Sequence, residues 1–176
     1  MSGIDPNRTF KAVHIAIVTV SDTRTAENDT SGDLLAERVQ SAGHCVVARR
    51  ILKDDRAAIE AALREFVADP NVDVVIATGG TGVTGRDVTP EAFFALYDKE
   101  IPGFGELFRY QSLQSIGLSA IQSRATAGVA RGTYLFALPG STGACRDAWD
   151  GILVYQLDSR YRPCNFVEQM PRLLER

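Results

Sequence analysis

The residues best placed for chemistry fall in four short segments: Ser21-Asp22-Thr23, Lys53-Asp54-Asp55, Thr78-Gly79-Gly80-Thr81-Gly82 and Pro139-Gly140-Ser141-Thr142. Each follows an apolar run that reads as a strand. In open α/β sheets ligands bind beyond the carboxyl ends of the strands, so these segments are the ones to read first. Three of them combine small and hydroxyl residues, which lets backbone N–H groups close on an anion. The Lys53–Asp55 segment supplies carboxylates. The richest stretch is Ala77–Pro90, ATGGTGVTGRDVTP. Its glycines allow positive φ and close approach of a ligand to the main chain. Thr81 and Thr84 add hydroxyls, and Arg86 can pair with phosphate. Asp87 would repel an anion in such a loop unless a cation bridges them, which points to Mg²⁺. The alternative for Asp87 is a cap or an ion pair with Arg86. Asp54 and Asp55 pose a similar choice. A helix start needs one capping carboxylate; if Asp55 caps, Asp54 faces the cleft beside Asp87, and otherwise both are solvated.

Several familiar sites are excluded. Gly80-x-Gly82-x-x-Gly85 matches the dinucleotide fingerprint formally, but the helix opens several residues later than that fingerprint requires. The segment also follows the third strand of the unit, not the first. No lysine followed by Ser or Thr closes a phosphate-binding P-loop. Gly140-Ser141 lacks the second glycine of a nucleophile elbow, since Thr142 stands there. The two histidines, His14 and His44, lie in or beside predicted strands and are poor candidates for a base. Cys145 and Trp149 read as packing residues of the last helix. Three cysteines far apart and without C-x-x-C spacing exclude a disulfide framework and a cysteine-rich zinc site.

The elements that must hold these segments are legible from hydrophobic period. Ala12–Val20 reads as a buried strand. Thr30 or Ser31 can cap a helix running to about Ala42, which Gly43 ends. His44–Leu52 is a second strand, and Asp54 or Asp55 opens a helix carrying Ile59, Leu63 and Phe66. Val72–Thr78 is the clearest buried strand. Thr89-Pro90-Glu91 opens the next helix with a capping hydroxyl. Pro102-Gly103-Phe104-Gly105-Glu106 reads as a turn before an amphipathic segment over Leu107–Leu113. Arg131-Gly132 turns into the strand Thr133–Leu138, and Cys145–Asp158 is helical. The alternation predicts an α/β fold, a three-layer αβα sandwich on a mostly parallel sheet. A length of 176 residues suits one domain, 1–176, with its core over about 13–166. A net charge of −3 argues against wholesale nucleic-acid or membrane-surface binding, so any anion site must be built locally. The polar N-terminus and the absence of a long apolar run lead to the expectation of a soluble, cytoplasmic protein.

Thr78–Gly82 followed by Arg86-Asp87-Val88-Thr89-Pro90, then Ile101-Pro102-Gly103-Phe104-Gly105-Glu106, resembles the MoaB/MogA family of molybdenum-cofactor biosynthesis. Gln122-Ser123-Arg124-Ala125, Leu138–Thr142 with Ala144-Cys145-Arg146, and Arg162-Pro163-Cys164-Asn165-Phe166 look like its MoaB branch. The resemblance spans about Val13 to Phe166. It implies a molybdopterin-binding fold assembled as homotrimers or dimers of trimers, with other proteins of the pathway as partners. It also implies a molybdopterin adenylyltransferase using ATP and Mg²⁺, with two functional aspartates matching Asp54 and Asp87. Ser21, Asp22, Thr78, Gly79, Gly80, Thr81, Gly82, Arg86, Glu106, Pro139, Gly140 and Ser141 are the expected substrate and nucleotide contacts. The MogA branch tends to carry proline shortly after Pro-Gly, where this chain has Ser141-Thr142. Some MoaB-branch proteins are regarded as inactive, so a non-catalytic molybdopterin carrier is the rival reading.

Overall fold

The strands at the centre of the molecule are apolar on both faces, the pattern of a sheet covered by helices on each side. A computed structural model describes residues 2–175. The elements run β1 (Gly3–Ile4), β2 (His14–Val20), α1 (Thr30–Ser41), β3 (Cys45–Leu52), α2 (Arg56–Ala68), β4 (Val74–Thr78), α3 (Thr89–Phe94), β5 (Lys99–Glu100) and α4 (Pro102–Ile116). A 3₁₀ segment, Gly117–Gln122, then leads to β6 (Thr126–Ala130), β7 (Thr133–Leu138) and α5 (Thr142–Ala148). A π-type turn, Trp149–Leu153, continues into α6 (Val154–Gln156), before β8 (Tyr161–Arg162) and α7 (Phe166–Gln169).

The main sheet has the order β3-β2-β4-β7-β6-β5. Its first four strands are parallel, and β6 pairs antiparallel with both β7 and β5. Alternate side chains along each strand feed two cores. Ile15, Ile17, Val74, Ile76, Phe136 and Leu138 pack under α1, α4 and Trp149. Ala16, Val18, Val75, Ala77 and Leu135 pack under Ile59, Leu63 and Phe66 of α2 and Phe93 of α3. The expected three-layer αβα architecture is therefore the observed one.

The register brings the functional segments together. Thr19 pairs with Thr78, Thr78 with Leu138, and Val20 with Leu52. The parallel strands thus end nearly level, and the segments after them open at one edge. The chain leaves β2 to one side to form β3, and β4 pairs on the other side. The resulting crevice between β2 and β4 is where α/β sheets place ligands.

Some local expectations need correction. Neither Thr30 nor Ser31 caps α1; Asp29 does, accepting from the Gly32 amide at 3.0 Å, and it is buried because it also accepts from the Thr19 hydroxyl. Thr89 is the first residue of α3, not its cap, and its buried hydroxyl finds no partner among the described residues. Pro102–Glu106 is not a turn but the first part of α4. Pro102 occupies the start of the helix, where its missing N–H costs nothing. Gly105 lets the helix pack so closely that a Cβ there would stand 2.5 Å from the Ala125 carbonyl oxygen. The strand β6 was not expected. It forms a hairpin with β7 through Arg131 and Gly132, both at positive φ (50° and 88°), as a tight primed turn requires.

Candidate functional site

The carboxyl edge of the sheet opens into a cleft of about 690 Å³, a volume suited to a small-molecule ligand. Its floor is main chain: Gly79–Gly82 after β4, Pro139-Gly140-Ser141 after β7, and Val20-Ser21 after β2. Gly79 has φ +104°, and a Cβ on it would lie 2.1 Å from the Val20 carbonyl oxygen. Here the strand ends are too close for any side chain. The Thr78 hydroxyl donates to the Pro139 carbonyl at 2.9 Å and joins two of the floor segments. The opposite wall comes from α4 and the 3₁₀ segment, through Ser112, Ser115, Ser119, Gln122 and Ser123.

The two aspartates reach this cleft by different routes. Asp55 caps α2, accepting from the Ala58 amide at 2.8 Å, and so leaves Asp54 turned into the cleft. The Asp54 carboxylate rests against the glycine-rich loop: a Cβ on Gly80, itself at φ +64°, would fall 2.9 Å from Asp54 Oδ1. Burial raises the Asp54 carboxyl above its ordinary 3.8, and the neighbouring negative charges of Asp22 and Asp87 add to the rise. Arg86 and the Asp22 amide oppose it without cancelling it. Asp87 touches the same loop from its far end; a Cβ on Gly82 would be 2.8 Å from Asp87 Oδ2. Burial alone would raise this carboxyl as well. The Thr84 hydroxyl and the amides of Thr84 and Gly82 outweigh burial and hold it below 3.8. The Thr84 contacts, 2.8 Å from the amide and 2.6 Å from the hydroxyl, close the loop on itself.

Ser21, Asp54, Thr78, Gly79, Gly80, Thr81, Gly82, Asp87, Pro139, Gly140 and Ser141 all line one cleft. Ser141 is also committed to the start of α5, its Oγ accepting from the Ala144 amide at 3.2 Å. Arg86 does not pair with Asp87. Its guanidinium makes a forked contact to Asp22 at the rim, the shortest arm 2.7 Å, and this pairing holds the Asp22 carboxyl down. Glu106 is not brought to the cleft. The first turn of α4 points it outward into a separate hollow with Pro102 and Arg109. The serines of the α4 wall escaped the sequence reading, although Ser112, Ser115, Ser119 and Ser123 recur at three- and four-residue intervals, the helical period. Arg24 and Ser31 also line the cleft and carried no comparable signal.

The sequence and fold that build this cleft have relatives among known proteins. The family described as "Probable molybdopterin binding domain" matches residues 16–159, most of the chain. The chain belongs to that family. It is 53% identical over 157 residues to molybdenum cofactor biosynthesis protein B of Escherichia coli (strain K12), covering 89% of this chain and 92% of that protein. A crystal structure of a molybdenum cofactor biosynthesis protein B superposes with a TM-score of 0.83 at 49% identity, covering 85% of this chain and 94% of the other. The tungsten cofactor synthesizing protein MoaB from Pyrococcus furiosus superposes at 0.73, with 38% identity and 81% and 91% coverage. The resemblance to the MoaB branch and the αβα fold are thus both borne out. Among the described residues, no helix is long and apolar enough to cross a membrane.

Proposed function

We propose that the chain acts in molybdenum-cofactor biosynthesis by binding molybdopterin in this cleft and adenylating its terminal phosphate with ATP and Mg²⁺. An oxygen of that phosphate attacks the α-phosphorus of ATP, the bond from the α-phosphorus to the β-phosphate oxygen breaks, and pyrophosphate leaves. Such a reaction depends on positioning and charge stabilisation rather than on a covalent nucleophile. The main-chain floor Gly79–Gly82 would orient the phosphates, and Ser21 with Pro139–Ser141 would bound them.

The donor set fits Mg²⁺. Asp54 carries under-compensated charge beside Asp22 and Asp87, which a cation would relieve. Among the described residues no three His, Cys, Asp or Glu side chains converge on one point. Two carboxylates would therefore hold the ion while water and phosphate oxygens complete its shell, the usual habit of Mg²⁺. When bound, the ion supplies neutralisation of phosphate charge.

The observation that carries this reading is the pair Asp54 and Asp87 on one glycine-rich loop. A site that only carried an anion would gain nothing from two added negative charges. The rival reading, a non-catalytic carrier, is favoured by the Asp87 carboxylate being already satisfied by Thr84. Incubation with molybdopterin, ATP and Mg²⁺ separates the two. Adenylate and pyrophosphate are expected; tight molybdopterin binding without either product would leave the carrier.

We also assign a cytoplasmic homotrimer, or a dimer of trimers. The outer face of α4 and the segment after it expose Tyr110, Ile116, Leu118 and Ile121, the last two at 84% and 85%, apolar side chains that contact between subunits would cover. Light scattering of the purified chain tests this: a monomer would remove the assignment.

A further inference from the structure

Arg124 is bound to the glycine-rich loop at more points than any role in its own strand connection requires. Its Nε donates to the Gly82 carbonyl at 2.6 Å and its Nη2 to the Asp87 carbonyl at 2.7 Å. Its Nη1 bonds Glu91 of α3, and its backbone N–H donates to the Thr81 carbonyl at 3.1 Å. One residue thus grips the loop at both ends and ties it to the helix that follows. Arg124 is itself held in place. The Arg109 guanidinium, two turns along the chain on α4, donates to the carbonyls of Ser123 and Ala125 on either side of it, both at 3.4 Å.

The consequence follows from peptide geometry. In a trans peptide the C=O and the next N–H point in opposite directions. Drawing the Thr81 carbonyl toward Arg124 turns the Gly82 N–H the other way, to the side where the Asp87 carboxylate lies. A guanidinium suits this task because its donors diverge in a rigid plane, whereas an ammonium is a single point. Arg124 does not line the cleft; Ser123 beside it does.

We propose that Arg124 is a positioning residue for the phosphate- and cation-binding loop: by holding the carbonyls of Thr81, Gly82 and Asp87, it keeps the Gly82 amide turned to the Asp87 carboxylate and so fixes that carboxylate at the cleft. The role in turnover rests on the adenylylation reading above; the role in loop order does not. In Arg124→Met the amides of Gly80–Asp87 are expected to exchange hydrogen about tenfold faster than in the wild-type chain, while amides of β2, β4 and β7 keep their protection. Where turnover is present, the Mg²⁺ concentration for half-maximal rate rises about tenfold, more than the KM for ATP, because the ion depends on Asp87 directly. Arg124→Lys, able to reach one acceptor at a time, falls between the two and carries the test if the methionine variant does not fold. Wild-type exchange rates in the loop of either folded variant, or acceleration spread equally through the core strands, would overturn the proposal. Absence of adenylate from the wild-type chain would instead remove the reaction and leave the exchange result to judge Arg124.

Discussion

The segment after β3 and the segment after β4 each deliver one aspartate to the same cleft, and they are built on opposite principles. Asp87 belongs to a loop that satisfies it: the hydroxyl and amide of Thr84 take up its charge, and its carboxyl is held low. Asp54 belongs to a tight turn whose other carboxylate, Asp55, has the capping task, so Asp54 is left against Gly80 among like charges and is held high. One acid stabilises the fold of its loop. The other is maintained at some cost to the fold and has no evident structural use. A residue of the second kind marks a functional site more clearly than one of the first.

Substitutions can break that contrast. The largest effect is expected for Asp87→Asn, which keeps the shape but weakens both the loop and any cation: turnover should fall by about two orders of magnitude, as for loss of one key electrostatic element. Undiminished turnover in an adenylate assay would remove Asp87 from the chemistry. Asp54→Asn should lower turnover by about tenfold or more and leave thermal stability unchanged or raised, because it removes a charge the fold disfavours. The corresponding stability change for Asp87→Ala is a loss of about 1–2 kcal/mol in denaturant unfolding, the scale of deleting charged hydrogen bonds. If the two variants were equally destabilised, the distinction between the acids would fail.

Acidity offers a subtler test. A raised carboxyl takes up its proton first as pH falls, so in a Mg²⁺-free carboxyl NMR titration Asp54 should protonate above the ordinary 3.8 of an aspartate, and that titration should be missing from Asp54→Asn. For stability the signs are opposite. The lowered Asp87 carboxyl contributes above its unfolded value, and that contribution disappears as pH drops through the folded one. Ionised Asp54 weighs against the fold, and its protonation gives relief. The smallest effect is expected for Arg86→Gln, which breaks the exposed pair with Asp22. Its thermal midpoint should scarcely move, since such pairs contribute little. A clear loss of stability would show the rim pair to be structural after all.

Most of this site could be read before the fold was known, because its parts are local. Glycines at 79, 80 and 82, hydroxyls at 78, 81 and 84 and the doublet Asp54-Asp55 all sit at or within a few residues of the ends of strands whose β-branched composition declares them. The unread parts depend on contacts distant in sequence. Thr126–Ala130 is a strand through its pairing with β7 and β5; its own residues, Thr-Ala-Gly-Val-Ala, lack the β-branched run that marks β2 and β4. The helix over Pro102–Glu106 packs against a distant segment, Gly105 meeting the backbone of Ala125. The family resemblance places Glu106 among the ligand contacts, whereas its position on α4 puts it in a separate hollow. Arg124 acts through carbonyl groups more than 35 residues distant, and no local pattern announces that.

The closeness of Gly79 to its neighbours also limits how such a binding site can diversify. A Cβ on Gly79 would collide with the Val20 carbonyl oxygen, and one on Gly140 would press to 3.2 Å from the Gly79 Cα, so a side chain is barred at the first position and crowded at the second. Mutation cannot install new chemistry on that surface without first wedging the strands apart. Any drift toward a different ligand must be written elsewhere, in the serines and the glutamine that face it from α4 and the segment beyond. A library aimed at altered ligand preference should randomise that wall and leave the glycines untouched.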